Sequence, residues 1–515
     1  MKRISILFVA FLMYFAVNAQ ETNKLIIDAT HPDVTINKNI YGHFAEHLGR
    51  CIYDGIWVGP DSKIPNTNGY RLDIVNALKE MHIPVLRWPG GCFADTYHWM
   101  DGIGPVGQRS KMMNYHWGGV VESNAFGTHE FLNLCEMLGC EPYISANVGS
   151  GSVVEMTKWI EYMNSDKDVP MANLRRQNGR EKPWNVKYMG IGNESWGCGG
   201  NMTPDYYVNL LRNYSEMAGI YGQWKLQQIG CGANGADYNW TDVVMKQRPG
   251  AMSGLSLHYY TIAGPDWGNK TPATGFEKKY YFSGLEKALK INDLVEKHSA
   301  IMDKYDPRKQ VGLMVDEWGI WTDVEPGTEE GFLFQQNSIR DALIASLTLN
   351  VFNNHADRVK MANIAQTINV LQSVILTEGN KMVLTPTYYV FKMYSVHQDA
   401  KLLPGRLITE DYEMDGRKIP ALSSSVSEDK NGNIHISLTN LNPDKEISLS
   451  VELVGKTFEQ VKSASVLTAP EYNSFNSFDK PAVVKPVDFK NFRKADASSI
   501  QVTVPSKSVL VLELK

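Results

Sequence analysis

Eight short apolar runs recur along the middle of the chain, and each ends in polar residues. They span 39–44, 85–91, 141–149, 186–194, 225–234, 254–260, 311–319 and 359–368. Between them lie stretches such as 71–81 and 128–139, where apolar residues return every three or four positions, the spacing of a helix with one buried face. Continuous apolar runs suit strands buried on both faces, and the intervening helices supply the cover. Two architectures accept eight such units, a closed (β/α)8 barrel and an open doubly wound sheet. Polar motifs follow several different strands here, as at the mouth of a barrel. The fold class predicted is therefore α/β, a (β/α)8 TIM barrel over residues 39–396.

The chain has 515 residues, more than such a barrel needs. From about 397 the pattern changes to strict alternation. Ile434, Ile436 and Leu438 alternate with polar residues, as do Ile447, Leu449, Val451 and Leu453. Asp429-Lys430-Asn431-Gly432-Asn433 reads as a hairpin turn. Residues 397–515 are expected to form a C-terminal antiparallel β-sandwich. Two short strands within 20–38, at Leu25–Ile27 and at Val34 and Ile36, are expected to complete it.

Lys2 and Arg3, the apolar run from Ile4 to Val17, and Val17-Asn18-Ala19 read as a signal peptide over 1–19. That predicts an exported protein, periplasmic or secreted, without stable membrane insertion. A net charge of −5 gives no basic footprint for nucleic acid. With 43% apolar and 21% charged residues, the composition excludes disorder. The six cysteines form no CxxC pair, which argues against a structural zinc site. Most are expected to be buried thiols; one bridge stays open, with partners that spacing does not give.

Two strand ends carry the chemistry. The run 186–194 closes on Gly190-Ile191-Gly192-Asn193-Glu194, and the run 311–319 contains Val315-Asp316-Glu317-Trp318. A Glu at a strand end can protonate a leaving oxygen while a neighbouring amide holds a sugar hydroxyl. As an isolated dipeptide Asn193-Glu194 reads as a turn after a strand, and the two Glu as solvated carboxylates on separate loops. As the fourth and seventh strands of a barrel they face each other across its mouth, and two carboxyls about 5–5.5 Å apart are what a retaining glycosidase needs. Arg87 follows the second strand, His258 and Tyr260 follow the sixth, and Gln366 lies in the eighth. Each has a structural alternative: a salt bridge, aromatic packing, or a buried amide with protein partners.

His43-Phe44-Ala45-Glu46-His47 spells H-x-x-E-H, a zinc-protease pattern that works only inside a helix. Gly42 and Gly49 bracket it, so the helix is not expected. Neither a metal nor a cofactor is predicted.

Taken together, these segments resemble the α-L-arabinofuranosidases of glycoside hydrolase family 51. The resemblance runs from about Asn39 to His397, through 41–50, 87–99, 101–105, 190–200, 316–321 and 355–370. It implies Glu194 as acid/base and Glu317 as nucleophile of a retaining, exo-acting enzyme. Asn193 would hold the sugar 2-OH, and Glu46 and Gln366 the other hydroxyls. Arg87, His258 and Tyr260 would orient the carboxylates, and Trp117 and Trp321 would wall the leaving group. Many members have Asn after the Pro-Gly-Gly; here Cys92 stands there, a weaker hydrogen-bond partner. It is expected to line the sugar site as a reduced thiol, against the alternative of a bridge to Cys198, the other Cys near a catalytic strand end. Substrates would be arabinofuranosyl-bearing plant polysaccharides such as arabinoxylan or arabinan, and a homo-oligomer is left open. The rival readings are an endo-glycanase on the same scaffold, a non-catalytic sugar-binding protein, and a zinc peptidase.

Overall fold

The computed structural model describes residues 23–222 and 225–515; the signal-peptide reading of 1–19 lies outside them. Every one of the eight runs contributes a strand to a single closed parallel barrel. In chain order these are β1 (Gly42–Phe44), β2 (Val85–Trp88), β3 (Glu141–Ala146), β4 (Tyr188–Ile191), β5 (Gln227–Asn234), β6 (Met252–Thr261), β7 (Gly312–Ile320) and β8 (Val359–Ala365). Neighbours in sequence pair with each other, and Ala365 of β8 lies opposite Phe44 of β1 to close the ring. Val85, Tyr143, Ile229, Met314 and Met361 form a buried cluster of their own. They come from five different strands and meet only because they fill the barrel's interior.

One irregularity positions the chemistry. Against β8, the register of β7 shifts between Val315 and Trp318. A regular strand sends consecutive side chains to opposite faces, whereas an extra residue at a bulge re-aims one of them. Asp316 and Glu317 consequently both reach Arg87.

The C-terminal domain is two sheets. Five strands lie in the order 405–408, 24–28, 447–454, 499–504, 492–494, and six in the order 401–402, 422–428, 434–440, 508–514, 461–467, 487–488. Lys24–Asp28 thus enters the sandwich from the other end of the chain, as expected. It pairs parallel with Ile447–Val454, so the sandwich is mostly rather than wholly antiparallel. The second expected N-terminal strand reduces to one bridge, Thr35 to Lys401, in a segment where Pro32 lacks a ladder donor.

Helix Ile339–Asn354 locks the two domains together. Ser338 and Asp341 form its capping box, and every residue but Asn354 is buried. A helix buried all round needs partners for its polar side chains. Ser346 and Asn350 bond Thr439, and Asn353 bonds Ser425, all on sandwich strands. Among the described residues no helix is long and apolar enough to cross a membrane.

Candidate active site

At the end of β2, Trp88-Pro89 is a cis peptide and the chain turns through Gly90 and Gly91. A Cβ on Gly90 would sit 2.8 Å from both Cγ and Oε1 of Glu46, and one on Gly91 3.2 Å from Oε2 of Glu317. The bare backbone lets this loop press against both carboxyls. Arg87, buried just before it, donates Nη1 to Glu317 Oε2 at 2.9 Å and Nη2 to Asn193 Oδ1. Burial works against the guanidinium charge, but Asp316 and Glu317 outweigh it and raise its pKa.

Beyond β4 the backbone takes positive φ at Gly192 and again at Glu194, where φ is 39°. A non-glycine residue held there is strained, a state that persists only where its surroundings impose it. The Glu194 carbonyl supplies part of that constraint by accepting from the amides of Gly197 and Gly199, at 2.7 and 3.1 Å. The side chain is thereby turned toward β6 and β7. His258 on β6 contacts Glu194 Oε1 through Nδ1 at 2.8 Å, and lies 3.5 Å from Glu317 Oε2. Ligand atoms of Glu194, His258 and Glu317 all lie within 4.8 Å of one another. Tyr260 donates to the other oxygen of Glu317 at 2.7 Å.

The two carboxyls have different surroundings. Burial and the nearby Glu317 raise the Glu194 pKa, against the pull of His258. Glu317 meets an Arg donor on one oxygen and a Tyr donor on the other, which suits a carboxylate acting only as acceptor. His258 is pushed up to about 10: burial opposes its charge, but Glu317, Asp316 and Glu194 prevail.

Glu46, just beyond β1, accepts at Oε1 from the amides of Gly91 and Phe93 and from Trp117 Nε1, and at Oε2 from Gln366 Nε2. Burial and Glu317 push it up to about 7, with these donors pulling the other way. Asn193 Nδ2 and Gln366 Oε1 are among the polar atoms buried here without a hydrogen-bond partner. Unpaired buried groups are costly, and a hydroxylated ligand would satisfy both. The pocket that Gln366 borders, together with Glu46, Glu194 and Glu317, measures about 250 Å³, and Trp117, Trp196, Trp267 and Trp321 line it. Trp321 meets Tyr260 edge-on at 5.1 Å between ring centroids.

The H-x-x-E-H motif splits into three separate environments. His43 lies in β1, packs on Phe391, and is pushed down to about 3 by burial. His47 points elsewhere, with Nδ1 2.9 Å from Glu122 and Nε2 accepting from Trp88 Nε1. The helix that would align both rings on a metal is not formed.

Cys92 departs from expectation. It is bridged to Cys198, with Cα atoms 5.5 Å apart, inside the range a disulfide spans. The turn after β2 and the glycine-rich turn after β4 bring the two together, a meeting invisible in their spacing along the chain. Cys51, Cys135, Cys140 and Cys231 are buried free thiols.

Sequence reasoning missed three residues. Asp316 contacts Arg87 Nε at 3.8 Å and His258 Nε2 at 3.2 Å, and Tyr143 donates to it at 2.6 Å. Asp95 accepts from the amides of Val148, Gly149 and Asn193 and so braces the β4 turn. Asp316 stood in plain view beside Glu317, but alternation alone sends it to the opposite face. Tyr143 and Asp95 carried no signal.

Two family profiles match the chain: "Alpha-L-arabinofuranosidase 1 domain" over residues 77–263 and "Alpha-L-arabinofuranosidase C-terminal domain" over 316–508. A relative from Bacteroides ovatus, named an intracellular exo-alpha-L-arabinofuranosidase, is 54% identical over 97% of each chain. The chain belongs to the family 51 α-L-arabinofuranosidases. As a member it is a glycoside hydrolase of that specificity, and its fold follows the family's. The family 51 arabinofuranosidase of Xanthomonas axonopodis pv. citri is 46% identical, with a TM-score of 0.94 over 96% of this chain and all of that one. The Thermotoga maritima α-L-arabinofuranosidase, solved as an arabinose complex, is 28% identical with a TM-score of 0.82, over 96% and 99%. The expectation of an exported, periplasmic or secreted protein is corrected by the same comparison, because the Bacteroides relative that matches over 97% of this chain is named intracellular.

Proposed function

We propose that the chain is a retaining, exo-acting α-L-arabinofuranosidase that releases terminal non-reducing α-L-arabinofuranosyl residues from arabinoxylan, arabinan or their oligosaccharides. The observation that carries the retaining mechanism is the spacing of the two carboxyls. Their oxygens come within 4.8 Å, against about 6.5–9.5 Å between carboxyls that must admit a water for inversion. The small pocket and the word "exo" in the Bacteroides relative's name support removal of one sugar at a time.

Glu317 attacks the anomeric carbon as the bond to the leaving oxygen breaks, and the Glu194 proton goes to that oxygen. The raised Glu194 pKa keeps that proton available. A covalent arabinosyl ester of Glu317 results. Glu194, now a base, takes a proton from water; the hydroxyl bonds to the anomeric carbon and Glu317 departs, leaving L-arabinose of retained configuration. In this reading Asn193 holds the 2-OH, and Glu46 and Gln366 hold the remaining hydroxyls. Arg87, His258 and Tyr260 orient the carboxyls, and Trp117 and Trp321 flank the leaving group.

The test separates the two Glu. Glu194→Ala should hydrolyse nitrophenyl arabinofuranoside, whose leaving group needs little protonation, far better than it releases arabinose from xylan. Azide should restore its turnover and give an arabinosyl azide of retained configuration. Glu317→Ala should lose several orders of magnitude on both substrates. Inverted azide product from the Glu194 variant would reverse the roles. Comparison of nitrophenyl α-L-arabinofuranoside with the β-D-xyloside and β-D-glucoside checks the sugar.

A further inference from the structure

We propose that reduction of the Cys92–Cys198 bridge turns the corner beside Glu194 into a site for one thiophilic divalent cation, of the zinc, cadmium or cobalt(II) kind. Its ligands are the two thiolates and the Glu194 carboxylate. The functional consequence, loss of activity, rests on Glu194 being the acid/base; the binding does not.

The three groups already converge. The Sγ atoms of Cys92 and Cys198 lie 4.0 and 3.5 Å from Glu194 Oε2, and the three ligand atoms are all within 4.8 Å of one another. Two sulfurs and a carboxylate oxygen are a zinc-type donor set, with metal–sulfur distances of about 2.3 Å and metal–oxygen of about 2.0–2.2 Å. Tetrahedral angles at such an ion put two thiolates about 3.7 Å apart, so once the bond is cut the sulfurs need only separate by less than about 2 Å. Rotation of two cysteine side chains whose Cα atoms are 5.5 Å apart provides that.

The rest of the environment fits. Oε1 of Glu194 stays on His258 Nδ1 at 2.8 Å while Oε2 faces the sulfurs, so the metal ligand has a ready outer partner. Cys92 and Glu194 line the active-site pocket, which gives the ion an open route and leaves its fourth position to water. The other four cysteines are buried free thiols. A separate cluster, Asp429, His435 and Glu513 in the sandwich, offers no sulfur and would give a different spectrum.

The chemistry balances with a dithiol reductant. The dithiol supplies two electrons and two protons, the S–S bond breaks into two thiols, and the reductant closes to its own disulfide. The metal ion then displaces both thiol protons and the Glu194 carboxyl proton to solvent. Seated on Glu194 Oε2, it occupies the oxygen that would carry the catalytic proton.

The full-length protein, reduced with dithiol, desalted without air and titrated with cobalt(II), should develop a thiolate-to-cobalt charge-transfer band that saturates at one ion per chain. Oxidised protein and reduced Cys92→Ser should not. Reduced Glu194→Gln keeps both thiols, so its band should persist with affinity lower by about ten-fold or more. Zinc should inhibit arabinofuranoside hydrolysis by the reduced wild type at concentrations about ten-fold or more below those needed for the oxidised form. No band in reduced wild type, or an equal band in reduced Cys92→Ser, overturns the site. A normal band without inhibition, in a protein whose Glu194→Gln variant is inactive, overturns the claim that the ion silences Glu194. If folded Glu194→Gln is instead fully active, the acid/base assignment fails and the metal site stands.

Discussion

His258 is pinned from both sides. Its Nδ1 faces Glu194 and its Nε2 faces Asp316, so the ring is held as a cation between two carboxyls, and Asp316 also helps hold Arg87 against Glu317. Asp316 itself is kept below its ordinary range; burial opposes this, but Arg87 and His258 outweigh it. Asp316→Asn removes one of the charges that raise His258 and loosens both groups. Activity should fall by up to about a hundred-fold through misplacement of the reacting carboxyls. A pH-dependent loss of stability should accompany it. The folded His258 is raised from 6.5 to about 10, so its contribution is fully present below pH 6.5 and is lost as pH rises through about 10. In Asp316→Asn the loss should start at the same pH but be smaller and complete at lower pH. Urea midpoints measured on both proteins across this range decide it; parallel curves would mean that Asp316 does not hold His258 charged.

Among the elements, the turn after β2 is the most constrained. The amides of Gly91 and Phe93 donate to Glu46, and Gly90 just before them leaves no room for a methyl. Gly90→Ala should push Glu46 off Gln366 and Trp117, at a cost of about 1–3 kcal/mol in stability from overpacking. The sugar-binding side should suffer most, so kcat/KM should drop more than the urea midpoint suggests. A variant with wild-type kcat/KM would show that the loop yields and Glu46 does not depend on it. At the β7 bulge the same economy operates in reverse: an irregular register lets two adjacent acids serve one site.

At the scale of the whole molecule, barrel and sandwich share helix Ile339–Asn354, and the strand Lys24–Asp28 joins the sandwich before the chain enters the barrel. Neither domain can lose the other without exposing a helix buried on every side. The protein should therefore unfold in a single calorimetric transition, with calorimetric and van't Hoff enthalpies in agreement. Two resolved transitions would show that the sandwich melts independently. A chain ending near 397 should fail to give soluble active barrel, for the same reason.

The sequence by itself determined the barrel, because eight apolar runs with amphipathic spacers bury their strands on both faces in only a few ways. It also determined that Glu46, Arg87, Asn193, Glu194, His258, Tyr260, Glu317 and Gln366 sit at or near strand ends, and a closed ring brings strand ends together wherever they lie in the chain. The mostly antiparallel sandwich was legible from alternation. Tertiary structure alone decided the rest. The parallel pairing of Lys24–Asp28 with Ile447–Val454 joins residues from opposite ends of the chain, where local pattern carries no information. The inward turn of Asp316 needs a bulge that period-two spacing hides. The bridge between Cys92 and Cys198 depends on two turns meeting across the barrel mouth, and distance in sequence does not record distance in space.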